Sequence, residues 1–391
     1  LGSPFFIFFI IFAFVAQVIV REQVICVPRG AAATNPATDG ITALYLYACL
    51  LYDVRGIFAP QEMSPMQYQR LGRTGILVSE LCLGTMTFGN EADETMSREI
   101  MNRAFNAGIN FFDAAHNYNR GVTEEIVGRW LGDRRQEIIL TSKVYFPSGG
   151  TRNDEGISRR NLIFSVEKSL KRFQTDYIDV LYLHHWDENV ALEQSLAALD
   201  TLVQQGKIIY AGVSNFAAWQ TMKAIAVADA LKCPPISVVQ PMYSLVKRQV
   251  EVEILPMAAH EGLAVVPYNA LGAGLLTGKY LEGGSGRLDQ VEMYRQRYED
   301  ERYVEITRRF VQYAQQHGYS PAALALAWVN NHPLVTSTIF GARNLEQFED
   351  TLSALQIAMD MEMRQEIGNL SYQPPLATDR EPMEAMRNRG W

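Results

Sequence analysis

The sequence predicts an α/β fold: one (β/α)8 barrel, the TIM-barrel architecture, over residues 66–375. Three observations carry this. Eight short apolar runs recur between residues 79 and 344, and helical stretches separate them. The runs are rich in Val, Ile and Leu and apolar on both faces, as strands of a parallel sheet covered by helices must be. Eight such units in one chain are the repeat of a closed barrel.

The elements follow in order. "SELCLGTMTFG" (79–89) precedes the helical "ETMSREIMNRAFNAG", and "INFFDAA" (109–115) precedes "VTEEIVGRWLGD". "EIILTSK" (137–143) leads to "SRRNLIFSVEKSLKRFQ", and "IDVLYLHH" (178–185) to "ALEQSLAALDTLVQQG". "IIYAGVSNF" (208–216) leads to "AAWQTMKAIAVADAL", and "ISVVQPMY" (236–243) to "VEVEILPMAAHEG". "LAVVPYNALG" (263–272) and "VTSTIFGARN" (335–344) close the series. The long interval between these last two holds a loop, "LEGGSGRLDQ", and two helices, 301–318 and 320–333. Ser320 before Pro321 reads as an N-cap with proline in the first helical position. A doubly wound fold is the alternative, but it carries a G-x-G-x-x-G turn after its first strand, which "LGTMTFGNEAD" lacks.

Composition narrows the function classes. The 391 residues are 48% hydrophobic and 20% charged, with net charge −8. No Lys/Arg run or basic stripe marks a nucleic-acid surface. Cys26, Cys49, Cys82 and Cys233 are scattered, with neither a CxxC nor a His/Cys cluster at metal spacing, so no metal site or disulfide framework is expected. Residues 1–65 form a hydrophobic N-terminal extension. "PFFIFFIIFAFVAQVIV" (4–20) has one polar member, Gln17, and nears the length of a membrane span or signal core. Three readings compete: an anchor, a cleaved signal, or upstream translated sequence ahead of a start at Met63 or Met66. The last is the expectation, because no basic residues precede the run. A cytoplasmic location follows, or membrane attachment if residues 4–20 are a genuine span. Residues 376–391 are read as a tail.

Barrel chemistry sits at the C-terminal ends of the strands. The second strand delivers Asp113 and, one turn later, Tyr118. The third delivers Lys143, the fourth His184, the fifth Ser214 and Asn215, and the sixth Gln240. The seventh gives Tyr268, and the eighth Gly341 with Arg343. An acid, a phenol, a lysine and an imidazole on neighbouring strands make a shared site. A phenol ionises near ~10, and an adjacent ammonium favours the phenolate. Asp113, Lys143 and Tyr118 therefore read as a tuned general acid, with His184 orienting the same oxygen. One proton donor aimed at an oxygen, with no nucleophile or metal, suits carbonyl reduction, whose hydride comes from a cofactor.

From Met66 to about Pro375 the chain resembles an aldo-keto reductase. "LGRTGILVSELCLGTMTFG", "INFFDAAHNYNRGVTEEIVGRWL", "IILTSKV", "DYIDVLYLHHWD", "GKIIYAGVSNF", "PYNALGAGLLTGKY" and "IFGARNLEQFEDTL" match that family's blocks in order. The resemblance implies a tetrad of Asp113, Tyr118, Lys143 and His184. Counting from Asp179 selects His184 over His185. It also implies NADPH/NADP+ extended across the barrel mouth. Ser214, Asn215 and Gln240 would meet the nicotinamide carboxamide, and Tyr268 would stack on its ring. Leu271, Gly272, Gly274 and Leu275 would line the pyrophosphate. Gly341, Arg343 and Gln347 would hold the 2′-phosphate end, and Asp350 the adenine. Arg343 favours NADPH over NADH, since a guanidinium matches a phosphate. Thr351 departs from the Asn common there, which weakens the adenine assignment.

Simpler readings apply to other residues. His116 is expected at the pocket rim. Glu124 and Glu125, after an apparent N-cap at Thr123, fit a helix dipole without any catalytic role. Phe88, Tyr145 and Trp186 are pocket walls or core. Trp130, Trp219 and Trp328 are expected to pack, and the basic helix at 158–174 to show a solvated face. Three functions compete: an NADPH-dependent reductase of small aldehydes or ketones, a non-catalytic NADPH-binding regulator like the potassium-channel beta subunits, and a lyase using Lys143 as nucleophile. A carboxylate keeping that lysine charged disfavours the last.

Overall fold

The computed structural model describes residues 66–376 and 378, so the N-terminal extension, with its apolar run at 4–20 and all three readings of it, and most of the tail lie outside the described residues. The chain enters through a hairpin, β1 (Tyr68–Arg70) antiparallel to β2 (Leu77–Ser79). Eight strands then alternate with helices: β3 (Leu81–Gly84), α1 (Glu94–Asn106), β4 (Phe111–Asp113), α2 (Val122–Leu131), β5 (Ile139–Val144), α3 (Arg159–Phe173). There follow β6 (Ile178–Leu183), α4 (Leu192–Gln204), β7 (Ile208–Ser214), α5 (Ala218–Leu231), β8 (Ile236–Gln240), α6 (Ile254–Glu261) and β9 (Ala264–Val265). The interval before β10 (Thr338–Phe340) holds α7 (Arg287–Gln290), α8 (Glu292–Tyr298), α9 (Glu301–Gln316) and α10 (Pro321–Asn330). The expected loop at 281–290 thus ends in the short helix α7, and α8 follows it. After β10 come α11 (Leu345–Leu352) and α12 (Met361–Asn369).

All eight strands pair in parallel, in the order β10-β3-β4-β5-β6-β7-β8-β9. Backbone hydrogen bonds join the two ends of that order: Thr336 N–H donates to Val265 O at 2.8 Å and Ile339 N–H to Pro267 O at 2.9 Å. The sheet is therefore a closed (β/α)8 barrel.

Alternation along each strand divides two cores. In β6, Val180 and Tyr182 point into the barrel with Cys82, Phe111 and Val238, while Leu181 and Leu183 pack outward under the helices. Leu71 and Val78 of the hairpin join the inner cluster and plug the barrel's N-terminal end. The helix starts follow capping chemistry. Asp93 accepts from Met96 N–H at 2.8 Å, and Ser320 from Ala323 N–H at 3.4 Å, ahead of Pro321. Thr123 is not a cap. It lies inside α2, and its hydroxyl donates to Phe88 O at 3.0 Å.

Candidate active site

Asp113 ends β4 as a buried carboxylate. Its Oδ2 accepts from Lys143 Nζ at 2.6 Å, and its Oδ1 from Thr141 Oγ1 at 2.9 Å and Gln240 Nε2 at 2.8 Å. The parallel register sets Asp113 opposite Thr141, so Lys143 sits two residues further towards the mouth and reaches back. Fully buried, the ammonium places its three donors on Asp113, on Ala114 O at 2.7 Å and on Tyr118 Oη at 3.1 Å. Tyr118 is half-buried and opens the turn Tyr118–Gly121. Asn119 (φ 45°), Arg120 (φ 55°) and Gly121 (φ 97°) are all left-handed there. Each non-glycine residue so held costs roughly 1–2 kcal/mol, and persists only because its surroundings fix it.

The electrostatics give this cluster its chemistry. Burial alone would depress the Lys143 ammonium, but Asp113 and Tyr118 lift it above its ordinary value. Burial raises the Tyr118 phenol, Lys143 lowers it, and the result is above the ordinary value. The ammonium alone would favour the phenolate, as expected from the sequence, but burial outweighs it. At neutral pH the cluster is a charged lysine donating to a protonated phenol. Such a phenol can release its proton with the resulting phenolate held by the ammonium.

His184 follows β6, buried, its ring centroid 6.3 Å from that of Tyr118. Burial and the Lys143 charge hold it well below the ordinary imidazole range, so it is neutral. Its Nδ1 is buried without a protein partner. The adjacent His185 is exposed, with Nδ1 against Trp186 O.

The remaining predicted residues fall into two groups. In the centre, Asn215 Nδ2 donates to His184 O at 3.0 Å and to Ser214 Oγ at 3.1 Å, and Asn215 Oδ1 accepts from Tyr268 Oη at 2.6 Å. Ser214 Oγ donates to Gln240 O at 2.9 Å, and Gln240 in turn holds Asp113. The Tyr268 phenol is pushed up to about 12 by burial. Leu271, Gly272, Gly274 and Leu275 lie in the loop after β9, where Gly272, Ala273 and Gly274 are successively left-handed. At the rim, Gly341 follows β10, and Gln347 Oε1 accepts from Arg343 N–H at 3.2 Å. Asp350 is exposed on α11. Thr351 is buried and spends its hydroxyl on Gln347 O at 2.8 Å, so it faces the fold.

Several residues differ from their sequence reading. His116 is not at the rim but buried, its imidazole pushed down to about 4 by desolvation. Glu124 does stand in the first turn of α2, but it has partners beyond the helix dipole. It is wholly buried, accepting from Ser142 Oγ at 2.7 Å and Arg172 Nη1 at 3.1 Å. The basic helix does show its solvated face, with Arg159, Arg160, Lys168 and Lys171 exposed, but Arg172 at its margin is only 18% exposed. Phe88 is core, and Trp130 stacks on Phe112 at 5.1 Å. Trp328 is buried, but Trp219 is 59% exposed and rests on Trp186 at 5.5 Å. Phe146 went unremarked in the sequence, yet its ring meets His184 edge-on at 4.9 Å. Nor does any sequence signal mark Glu91, which accepts from Arg287 at 2.8 Å and pairs with the Arg343 guanidinium at 3.2 Å, or Lys279, depressed by burial and by those two arginines.

The sequence profile described as the aldo/keto reductase family matches residues 80–371. The uncharacterized oxidoreductase YrpG of Bacillus subtilis (strain 168) is 39% identical over 314 residues, covering 76% of this chain and 94% of that protein. A probable voltage-gated potassium channel subunit beta of Oryza sativa subsp. japonica is 36% identical, covering 75% of this chain and 92% of its own. The L-glyceraldehyde 3-phosphate reductase of Escherichia coli (strain K12) is 33% identical, covering 76% and 89%.

Proposed function

Because the chain belongs to the aldo/keto reductase family and is an oxidoreductase, we propose that it reduces aldehydes or ketones to alcohols with NADPH. The observation that carries this is the Tyr118 hydroxyl, kept protonated by burial and held 3.1 Å from a charged, fully buried Lys143. NADPH supplies the hydride when bound. Tyr118 gives its proton to the carbonyl oxygen as negative charge grows there. Lys143 stabilises the phenolate left behind, and Asp113 fixes the lysine's charge and direction. His184, neutral, orients the oxygen by hydrogen bonding. Phe146 forms an apolar wall beside it.

The residues fit a phosphorylated dinucleotide. Lys279, Arg287 and Arg343 converge around Glu91, with Asp289 acting on the same lysine, and three cations against two carboxylates leave a net positive rim suited to a polyanion. Arg343 and Gln347 would take the 2′-phosphate end, and Gly341, Leu271, Gly272, Gly274 and Leu275 offer backbone for close approach. Ser214, Asn215, Gln240 and Tyr268 form the nicotinamide side, and Asp350 the adenine side. Replacing Arg343 with Ala is expected to raise the Michaelis constant for NADPH roughly ten- to hundredfold, the loss of one charge-assisted contact, and to leave that for NADH unchanged. Equal changes for both cofactors would remove the 2′-phosphate role.

The test is NADPH oxidation with 4-nitrobenzaldehyde by wild type and Tyr118→Phe. Wild-type turnover falling about 10²–10⁴-fold in the variant is the expected result. A second reading draws on the likeness to the rice channel subunit: a cofactor-binding regulatory barrel. NADPH binding without turnover of any aldehyde or ketone in a panel would favour it over the reductase. A Schiff-base role for Lys143 has no support, because an ammonium raised by Asp113 is a poor nucleophile.

A further inference from the structure

We propose that Arg172 and Glu124 form a positioning pair that holds Tyr118 in register with Lys143, an inference that rests on Tyr118 being the proton donor. The turn that carries the phenol has three successive left-handed residues, so its shape must be imposed from outside. Arg172 grips that turn on both sides. Its Nη1 donates to His116 O at 3.0 Å, two residues before the phenol. Its guanidinium packs on the bare Cα of Gly121, three residues after, where an added Cβ would come within 2.2 Å of it.

The same Nη1 donates to Glu124 Oε2 at 3.1 Å, and Glu124 Oε1 accepts from Ser142 Oγ at 2.7 Å. Ser142 adjoins Lys143 in β5. One buried ion pair therefore links the backbone on either side of the phenol to the strand bearing the lysine. Neither residue touches the reacting atoms as the mechanism assigns them, so both act through Tyr118. A pair serving the fold alone could be apolar at no loss of stability. This one has its donors and acceptors aimed at the tyrosine turn and at the lysine strand, and positioning explains that aim.

The experiment compares Arg172→Lys, Arg172→Met and Glu124→Gln with wild type. Four quantities are read: kcat and KM with 4-nitrobenzaldehyde, NADPH affinity by fluorescence, melting temperature, and the ultraviolet titration of Tyr118, isolated by subtracting the matching Tyr118→Phe proteins. A misplacement of about 1 Å costs on the order of a hundredfold in rate. So kcat should fall about a hundredfold in Arg172→Met and about tenfold in the two conservative variants, with KM and NADPH affinity within about twofold of wild type. The Tyr118 titration should move towards that of an ordinary phenol as the ring gains solvent. Wild-type kcat and titration with only a lowered melting temperature would overturn the pair's role. So would a fall of kcat and NADPH affinity together in step with stability. Should Arg172→Met not fold, Arg172→Lys and Glu124→Gln decide by the same criteria. If wild type turns over no aldehyde, the reductase reading fails separately, and the Tyr118 titration alone judges the pair.

Discussion

Lys143→Met is expected to lower NADPH-dependent turnover by about 10²–10⁴-fold and to destabilise the fold by about 3–5 kcal/mol. Both losses have one cause. Asp113 is buried and has its shortest contact with this ammonium, at 2.6 Å. Without it, the carboxylate keeps only the Thr141 and Gln240 donors, and an uncompensated charge remains inside the barrel mouth. The phenol loses the cation that would stabilise its conjugate base. Thermal unfolding beside steady-state kinetics measures both. The double variant Asp113→Asn/Lys143→Met separates them: stability should return in part, because no lone charge is left, while turnover stays lost. A single variant as stable as wild type would contradict this account. The stability that the ammonium contributes is fully present below the ordinary lysine pKa and is lost only as pH climbs through its raised folded value. That contribution of the wild-type ammonium should therefore be flat across the neutral range.

Gly128→Ala is expected to destabilise the protein by about 2 kcal/mol, an overpacking cost at the upper end of the usual range less the gain in helix propensity. In an open helix the exchange gains roughly 0.8–1 kcal/mol. Here α2 crosses α3 so closely that the new Cβ would lie 2.3 Å from Arg172 O and 2.7 Å from the Phe173 backbone. Backbone cannot swing aside as a flexible side chain does, so the helices must separate. The displaced residue is Arg172 itself, so turnover should fall with the melting temperature. An alanine variant melting with wild type would mean that the crossing is looser than described.

The strands were legible because burial on both faces leaves a mark in every run, and their ends were legible because an acid, a lysine or a histidine there is conspicuous. Asp113, Lys143 and Tyr118 do meet, as their strand positions implied. What stayed hidden depends on contacts across sequence. Glu124 looks like any acid in a first helical turn, and Arg172 like any base on an amphipathic helix. They become a buried pair only because α2 and α3 touch. Periodicity says which face of a helix turns inward, but not which charge at its margin is captured. Glu91 and Arg287 met across 196 positions for the same reason, unseen until the loops were placed. The phenol's ionisation was misjudged because burial is a property of the fold.

The seam of the barrel carries a consequence for how the molecule is made. The first and last strands lie side by side, and Thr87 Oγ1 donates to Ala342 O, 255 positions away, at 2.7 Å. The ring therefore cannot shut until β10 has left the ribosome. Until then β3 has a free edge, with backbone donors and acceptors open to any other strand. Contacts so distant in sequence also form slowly. Chains stopped short of residue 338 lack the strand that covers this edge, and the period before closure is when wrong partners have most access to it.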